Sequence, residues 1–280
     1  MRKISLTLIA VLVAFTMIGN AQNGDFFEGD MLYRNFENHN KAVMNLSKGM
    51  AYNGARTVRI IMKGYNIHII DEVLHIHILL LPDENKAIIY NDLLKKGQEF
   101  PFWLYVNTYI AVFSPEARVI AHNITLPAPK YTIASTGEKK EYMGQTCDIY
   151  KGQVIVSHGA TDVELWVSSK HSIYKSYWYF LNGIQVPGIV LKWTYDQKAD
   201  IPLIGKLASF VASEVKEINE RIVANDEMQV PSDIKIVVSE SPFKVVSLYK
   251  ETVKYLTKNK MFPNQQETEV TFRIEEDWDF

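Results

Sequence analysis

Residues 142–169 read YMGQTCDIYKGQVIVSHGATDVELWVSS, and their alternation of apolar and polar positions points to the fold. Thr146–Tyr150 and Val154–Val156 read as an outgoing strand, Ser157-His158-Gly159-Ala160 as a polar turn, and Asp162–Ser168 as the returning strand. On the return, Val163, Leu165 and Val167 fall on one face and Glu164, Trp166 and Ser168 on the other, the period of two that a strand imposes. Outward from this hairpin the chain supplies more strands of the same kind: 25–36, Val58–Lys63, Tyr65–Ile70, Leu74–Leu81, Ala87–Tyr90, Ser172–Leu181, Val190–Tyr195, Phe210–Ile222 and Ile234–Val238. Asn53-Gly54, Lys63-Gly64, Pro82-Asp83-Glu84-Asn85 and Val186-Pro187-Gly188 punctuate them as turns, because glycine tolerates positive φ and proline presets a turn dihedral.

In several strands both faces are apolar, as in Ile67, Ile69 and Ile70 and again from Ile76 to Leu81. A sheet wetted on one side alternates cleanly, so each face here needs a cover. Helical spacing appears twice. Ala42, Val43, Leu46 and Met50 suggest a short helix over 38–50, and Ser241-Pro242 opens a longer one with a stripe of Phe243, Val246, Tyr249, Val253 and Leu256. The Pro- and aromatic-rich segment 98–130 reads as an insertion over the mouth of the sheet, and Val270–Ile274 in the acidic tail as a last strand. No internal repeat stands out.

Arg2 and Lys3, the apolar run Ile4–Ile18 and Gly19-Asn20-Ala21 make residues 1–21 a cleavable signal peptide, with Gln22 as the expected mature start. The apolar run is shorter than the roughly 20 residues of a spanning helix. No cysteine follows it, so the expected product is soluble, in the periplasm or secreted, and carries no lipid anchor. Without Arg2 and Lys3, Lys+Arg falls from 30 to 28 against 32 acidic residues, a charge of −4 that argues against nucleic acid. Cys147 is the single cysteine, so no intrachain disulfide forms, and the 47% of hydrophobic residues must supply the stability. The domain organisation expected is 1–21 signal peptide, 22–240 sheet domain, and 241–280 helix and acidic tail packed on or beside it.

Candidate chemistry is thin. His75 and His77 have the i, i+2 spacing that puts two imidazoles on one strand face, but no third metal ligand completes a pattern nearby. Cys147 could pair with His158 across the hairpin as a nucleophile, but it sits in an ordinary alternating strand and reads better as a buried inert thiol. No nucleophile elbow, zinc-protease motif or phosphate loop occurs. The aromatics Trp103, Tyr105, Trp166, Tyr177, Trp178, Tyr179 and Trp193 exceed what one core face needs, and an apolar pocket would use the surplus.

The order of Met62-Lys63-Gly64, Tyr142-x-Gly144-x-x-Cys147-x-x-Tyr150, Glu164-Leu165-Trp166-Val167-Ser168, Gly183–Lys192 and a closing MQVPSDIKI resembles an uncharacterised family of exported proteins from Gram-negative bacteria. Its fold is similar to that of the periplasmic lipoprotein carriers and lipoprotein-localisation factors. The resemblance covers roughly residues 50–238, and the 98–130 segment and the region after Ser241 depart from it. It implies an α+β fold: a strongly curved antiparallel sheet, a half-barrel, with helices covering the concave side and an apolar cavity for acyl chains between.

The expectation is therefore a binding protein for a lipid or other hydrophobic small molecule, with no catalytic residues and no cofactor. Candidate lining residues, drawn from both strand faces, are Ile60, Met62, Ile76, Ile78, Leu165, Trp166, Tyr179 and Trp193. The alternatives are an envelope structural or interaction protein without a pocket and a hydrolase dependent on His75, His77 or Cys147.

Overall fold

The computed structural model describes residues 27–41, 53–105, 130–156, 159–170, 186–201, 205–239 and 244–261. Within them lies one thirteen-stranded sheet. Its strands are β1 (Gly29–His39), β2 (Gly54–Lys63), β3 (Asn66–Asp71), β4 (Ile76–Leu81), β5 (Lys86–Asn91), β6 (Lys96–Pro101), β7 (Lys130–Tyr131), β8 (Ala134–Tyr142), β9 (Gln145–Val156), β10 (Gly159–Ser168), β11 (Ile189–Ile201), β12 (Gly205–Glu220) and β13 (Lys235–Val238). The spatial order is β13-β6-β5-β4-β3-β2-β1-β12-β11-β10-β9-β7, with β8 also on β9. The sheet does not close on itself. Every pair is antiparallel except β13 with β6.

The hairpin read from the sequence is β9–β10, paired from Gly159↔Val156 to Ser168↔Cys147; its turn residues 157 and 158 lie outside the described residues. Phe210–Ile222, read as a strand although the charges of EVKEINER would also suit a helix, lies almost wholly in β12, sixteen residues long and paired along most of its length with β1 and β11. Cross-strand pairing on both sides overrides a local preference that was ambiguous.

Strands β2 to β6 form a meander of short hairpins. Gly64, at φ 58, makes the β2–β3 turn. The β3–β4 and β5–β6 turns share a design not apparent in the sequence. Asp71 Oδ1 accepts from the amides of Val73 at 3.1 Å and Leu74 at 2.9 Å, and Asn91 Oδ1 accepts from the Leu94 amide at 2.7 Å. The last residue of each turn, His75 or Lys95, is left-handed at φ 54 or 52. The side-chain acceptors hold the tight turn that such a backbone needs. This structural repeat is hard to see in the sequence because it is confined to a capping Asp or Asn, an acidic residue and an apolar pair, Asp71–Leu74 and Asn91–Leu94.

Both faces of the meander are buried. On one, Met31, Tyr33, Ile60, Met62, Ile67, Ile76, Leu80, Ile89 and Phe100 belong to the larger core, which continues to Leu165, Val190 and Val215. On the other, Ile61, Leu79, Leu81, Ile88 and Tyr90 pack under Val223, Met228 and Ile234. That cover is the segment after β12, with a 3-10 turn at Asn225–Met228. Charge fixes it in place. Arg221 binds Asp30 Oδ2 at 2.7 Å and both carboxylate oxygens of Glu227, and Lys63 Nζ reaches the Val223 carbonyl at 2.6 Å. Two-sided apolarity thus has a partly different cause from the one expected: an irregular segment covers one face.

The expected layer of helices over the sheet is not found among the described residues. They contain one long helix, α1 (Lys244–Lys258), and a single helical turn, Phe102–Tyr105. Helix α1 docks beside β5 and β6 at one end of the sheet. Among its described side chains the most buried are Leu256, which the predicted stripe includes, and Leu248 and Thr252, which it does not; the predicted Tyr249 and Val253 are half-buried. The stripe is rotated because Thr252 is drawn inward: its hydroxyl donates to the Leu248 carbonyl at 2.8 Å and accepts from Asn91 Nδ2 at 3.0 Å. A buried polar residue with both bonds made is invisible to a stripe of apolar residues.

Of the 98–130 segment, residues 98–101 complete β6, Phe102–Tyr105 form the helical turn and Lys130 begins β7; 106–129 lie outside the described residues. So do the expected signal peptide 1–21, most of the expected 38–50 helix, and the expected strands Ser172–Leu181 and Val270–Ile274. No helix among the described residues is long and apolar enough to cross a membrane.

Candidate functional site

A cavity of about 280 Å³ opens on the Met31 face of the sheet. Its apolar wall comes from alternate positions of three adjacent strands: Val58 and Ile60 of β2, Ile69 of β3, and Ile76 and Ile78 of β4. Tyr33, Tyr105, Tyr249 of α1 and Trp193 of β11 add aromatic surface. One end is polar, with Asn35 and Glu37 of β1, Arg56 of β2, Asp71 of β3 and Ser213 of β12.

Strand register assembles that polar end. Arg56 is paired with Asn35, Glu37 with Gly54, and Val58 with Asp71, so Arg56 is the diagonal neighbour of both carboxylates. Arg56 Nη1 donates to Asp71 Oδ2 at 2.9 Å, and Nη2 donates to Glu37 Oε1. Glu37 Oε2 lies 2.9 Å from His39 Nε2, and His39 Nδ1 lies 2.9 Å from Ser209 Oγ. Burial pushes the Glu37 carboxyl up, but the His39 hydrogen bond and the Arg56 charge outweigh it and hold the group below the usual carboxylate range. Burial likewise pulls Arg56 down, and the Glu37 and Asp71 charges more than restore it. Glu37 and Arg56 stay ionised together. Tyr249 is pushed up to about 12 by burial and by the Asp71 charge, so it remains a neutral phenol.

The residues expected to line a cavity are divided by this geometry. Ile60, Ile76, Ile78 and Trp193 line it. Met62 and Leu165 belong to the same core but lie packed within it rather than on the cavity wall. Trp166 points to the opposite face of β10 from Leu165. There it meets the Tyr142 ring edge-on at 6.3 Å, while Lys192 Nζ sits 5.0 Å from its ring centroid and 4.2 Å from that of Tyr142. Tyr179, like Tyr177 and Trp178, is outside the described residues.

Glu37, Arg56, Asp71 and Tyr249 were missed by sequence reasoning. A signal existed: Arg56 shares the parity of Val58, Ile60 and Met62, which puts a charge on an inward face. Its partners lie on other strands, and only register reveals them.

His75 and His77 do converge, but on a carboxylate. His75 Nδ1 lies 3.1 Å from Asp92 Oδ1 and His77 Nε2 lies 3.5 Å from Asp92 Oδ2. Among the described residues no group of three or more His, Cys, Asp or Glu is arranged to hold a metal. His77 extends inward to His68, Nδ1 to Nε2 at 3.1 Å, and stacks on Tyr90 at 4.5 Å. His68 Nδ1 lies 2.7 Å from the Glu227 carbonyl, which can only accept, so that nitrogen carries the proton. Burial lowers His68 to about 4 despite that bond, leaving a neutral imidazole that ties the sheet to its irregular cover. This chain belongs to the Tyr90 face, away from the cavity.

Cys147 is fully buried, its Sγ 3.7 Å from the Gln145 carbonyl. Burial, with the Glu141 and Asp148 charges, pushes the thiol up to about 11 and keeps it protonated. His158, its suggested partner, lies outside the described residues.

No protein-family model matches the chain, and no curated protein matches it. A solved structure of PNGF-II in a C2 space group is similar at a TM-score of 0.38 and 12% identity over 80% of this chain and 32% of that one. This chain thus spans about a third of its length, and a likeness of that extent carries no inference about function. None of these comparisons adds support to the resemblance to the lipoprotein carriers.

Proposed function

We propose that the protein is a non-catalytic binding protein that holds a lipid or other hydrophobic small molecule in the cavity on the Met31 face. In this reading residues 1–21 direct it to the periplasm or out of the cell, and the open sheet curves as a half-barrel around its ligand, in the manner of the lipoprotein carriers it resembles. The observation that carries the proposal is the cavity wall: five aliphatic side chains from three neighbouring strands facing about 280 Å³ of space with aromatic rings at its rim. Ligand pockets run from roughly 300 to 1,000 Å³, so this one suits a small ligand or one end of a longer chain. The hydrolase alternative gains nothing from a protonated, buried Cys147 or from histidines paired to Asp92.

A native mass spectrum of protein purified from its own host without detergent tests the reading. A bound apolar adduct supports it. Stoichiometric zinc would favour the hydrolase, and a bare polypeptide the structural or interaction protein.

A further inference from the structure

Resting on that reading, we propose that the polar end of the cavity selects an amphiphile whose head group is uncharged or cationic and donates hydrogen bonds, and rejects an anionic head. The charges at this end do not balance. One guanidinium, Arg56, faces two carboxylates, Glu37 and Asp71, and both of its terminal nitrogens are engaged with them. His39 ties Glu37 into the rest of the network, its Nε2 2.9 Å from Glu37 Oε2 and its Nδ1 2.9 Å from Ser209 Oγ.

Two hydroxyl donors near this end are committed elsewhere. The Tyr33 hydroxyl donates to the Val190 carbonyl at 2.8 Å, and the Ser213 hydroxyl donates to Asn35 Oδ1. What the carboxylates keep is acceptor capacity, since each oxygen has two lone pairs. An amine or hydroxyl entering head-first meets those lone pairs. A carboxylate, sulfonate or phosphate meets like charge in a half-buried site where screening by water is weak. The apolar wall of Val58, Ile60, Ile69, Ile76 and Ile78 would take the tail of either kind, so discrimination rests on the head alone.

The test compares decanol, decylammonium and decanoate, which share a tail length, by calorimetric titration of the full chain at neutral pH and low ionic strength. Decanol and decylammonium should each bind about tenfold or more tightly than decanoate. Glu37→Gln keeps the acceptor for Arg56 and removes one negative charge; it should narrow the gap by strengthening decanoate binding, and Asp71→Asn should act in the same direction. Equal binding of all three, or tighter binding of decanoate, overturns the selection and leaves the apolar cavity standing. If none of the three binds, the binding reading itself falls and this inference with it.

Discussion

Leu165 and Trp193 are register partners across β10 and β11, yet Leu165 is wholly buried in the core while Trp193 lines the cavity. One packs the sheet and the other meets the ligand. Leu165→Ala should therefore cost about 2–5 kcal/mol in urea unfolding, the range for a buried leucine truncated to leave a void. At temperatures where the variant stays folded, its ligand affinity should change far less than that of Trp193→Ala, which should lose binding with a smaller loss of stability.

Removing the cation between Glu37 and Asp71 should be costly. Arg56→Met leaves the buried Glu37 and half-buried Asp71 carboxylates without a counter-charge between them, and should lower stability by about 3 kcal/mol. Arg56→Lys, which retains the charge and loses the two-pronged geometry, should cost less than half of that. Equilibrium denaturation at neutral pH measures both. A Met variant as stable as the parent would mean that the carboxylates are solvated and the polar end is not a closed site.

Stability should fall as pH drops from about 6.5 toward 4, in part through His68. Its imidazole titrates near 6.5 in the unfolded chain and near 4 in the folded one. Between those values the unfolded state binds the proton and the native state does not, so stability rises with pH across the window. The contribution is complete above 6.5, lost as pH falls through 4, and on the order of 3 kcal/mol at most, from 1.4 kcal/mol per pH unit. His68→Asn should flatten that slope in unfolding curves collected from pH 4 to 7.

Cys147 should resist modification. A thiol held near 11 and sealed by β8 and β10 should not react with a thiol reagent at pH 8 in native protein, and should react fully in guanidinium. Cys147→Ala should cost on the order of 1 kcal/mol and leave ligand binding unchanged.

The strands were legible because their alternation is local. β9, β10 and the meander from β2 to β5 follow from period-two patterning and turn residues in one stretch of chain. The polar end of the cavity was not, because Glu37, Arg56 and Asp71 meet only through the registers of β1, β2 and β3. Trp166 was misplaced among cavity candidates for a related reason: each face of β10 carries a large apolar side chain, Leu165 on one and Trp166 on the other, and its sequence does not say which face holds the space. The face of α1 was legible only to within a rotation, since Thr252 took a core position by hydrogen bonding.

Chain-length dependence of binding tests the apolar cavity most directly. With a series of straight-chain alcohols titrated against the full protein, each added methylene should strengthen binding by roughly 0.8 kcal/mol, about fourfold, until the cavity is filled. Ile78→Trp, which puts a larger side chain into the cavity, should abolish the trend while circular dichroism shows the sheet intact. Affinity independent of chain length, or an unchanged series in Ile78→Trp, would contradict a ligand seated on the wall of Ile60, Ile69, Ile76 and Ile78.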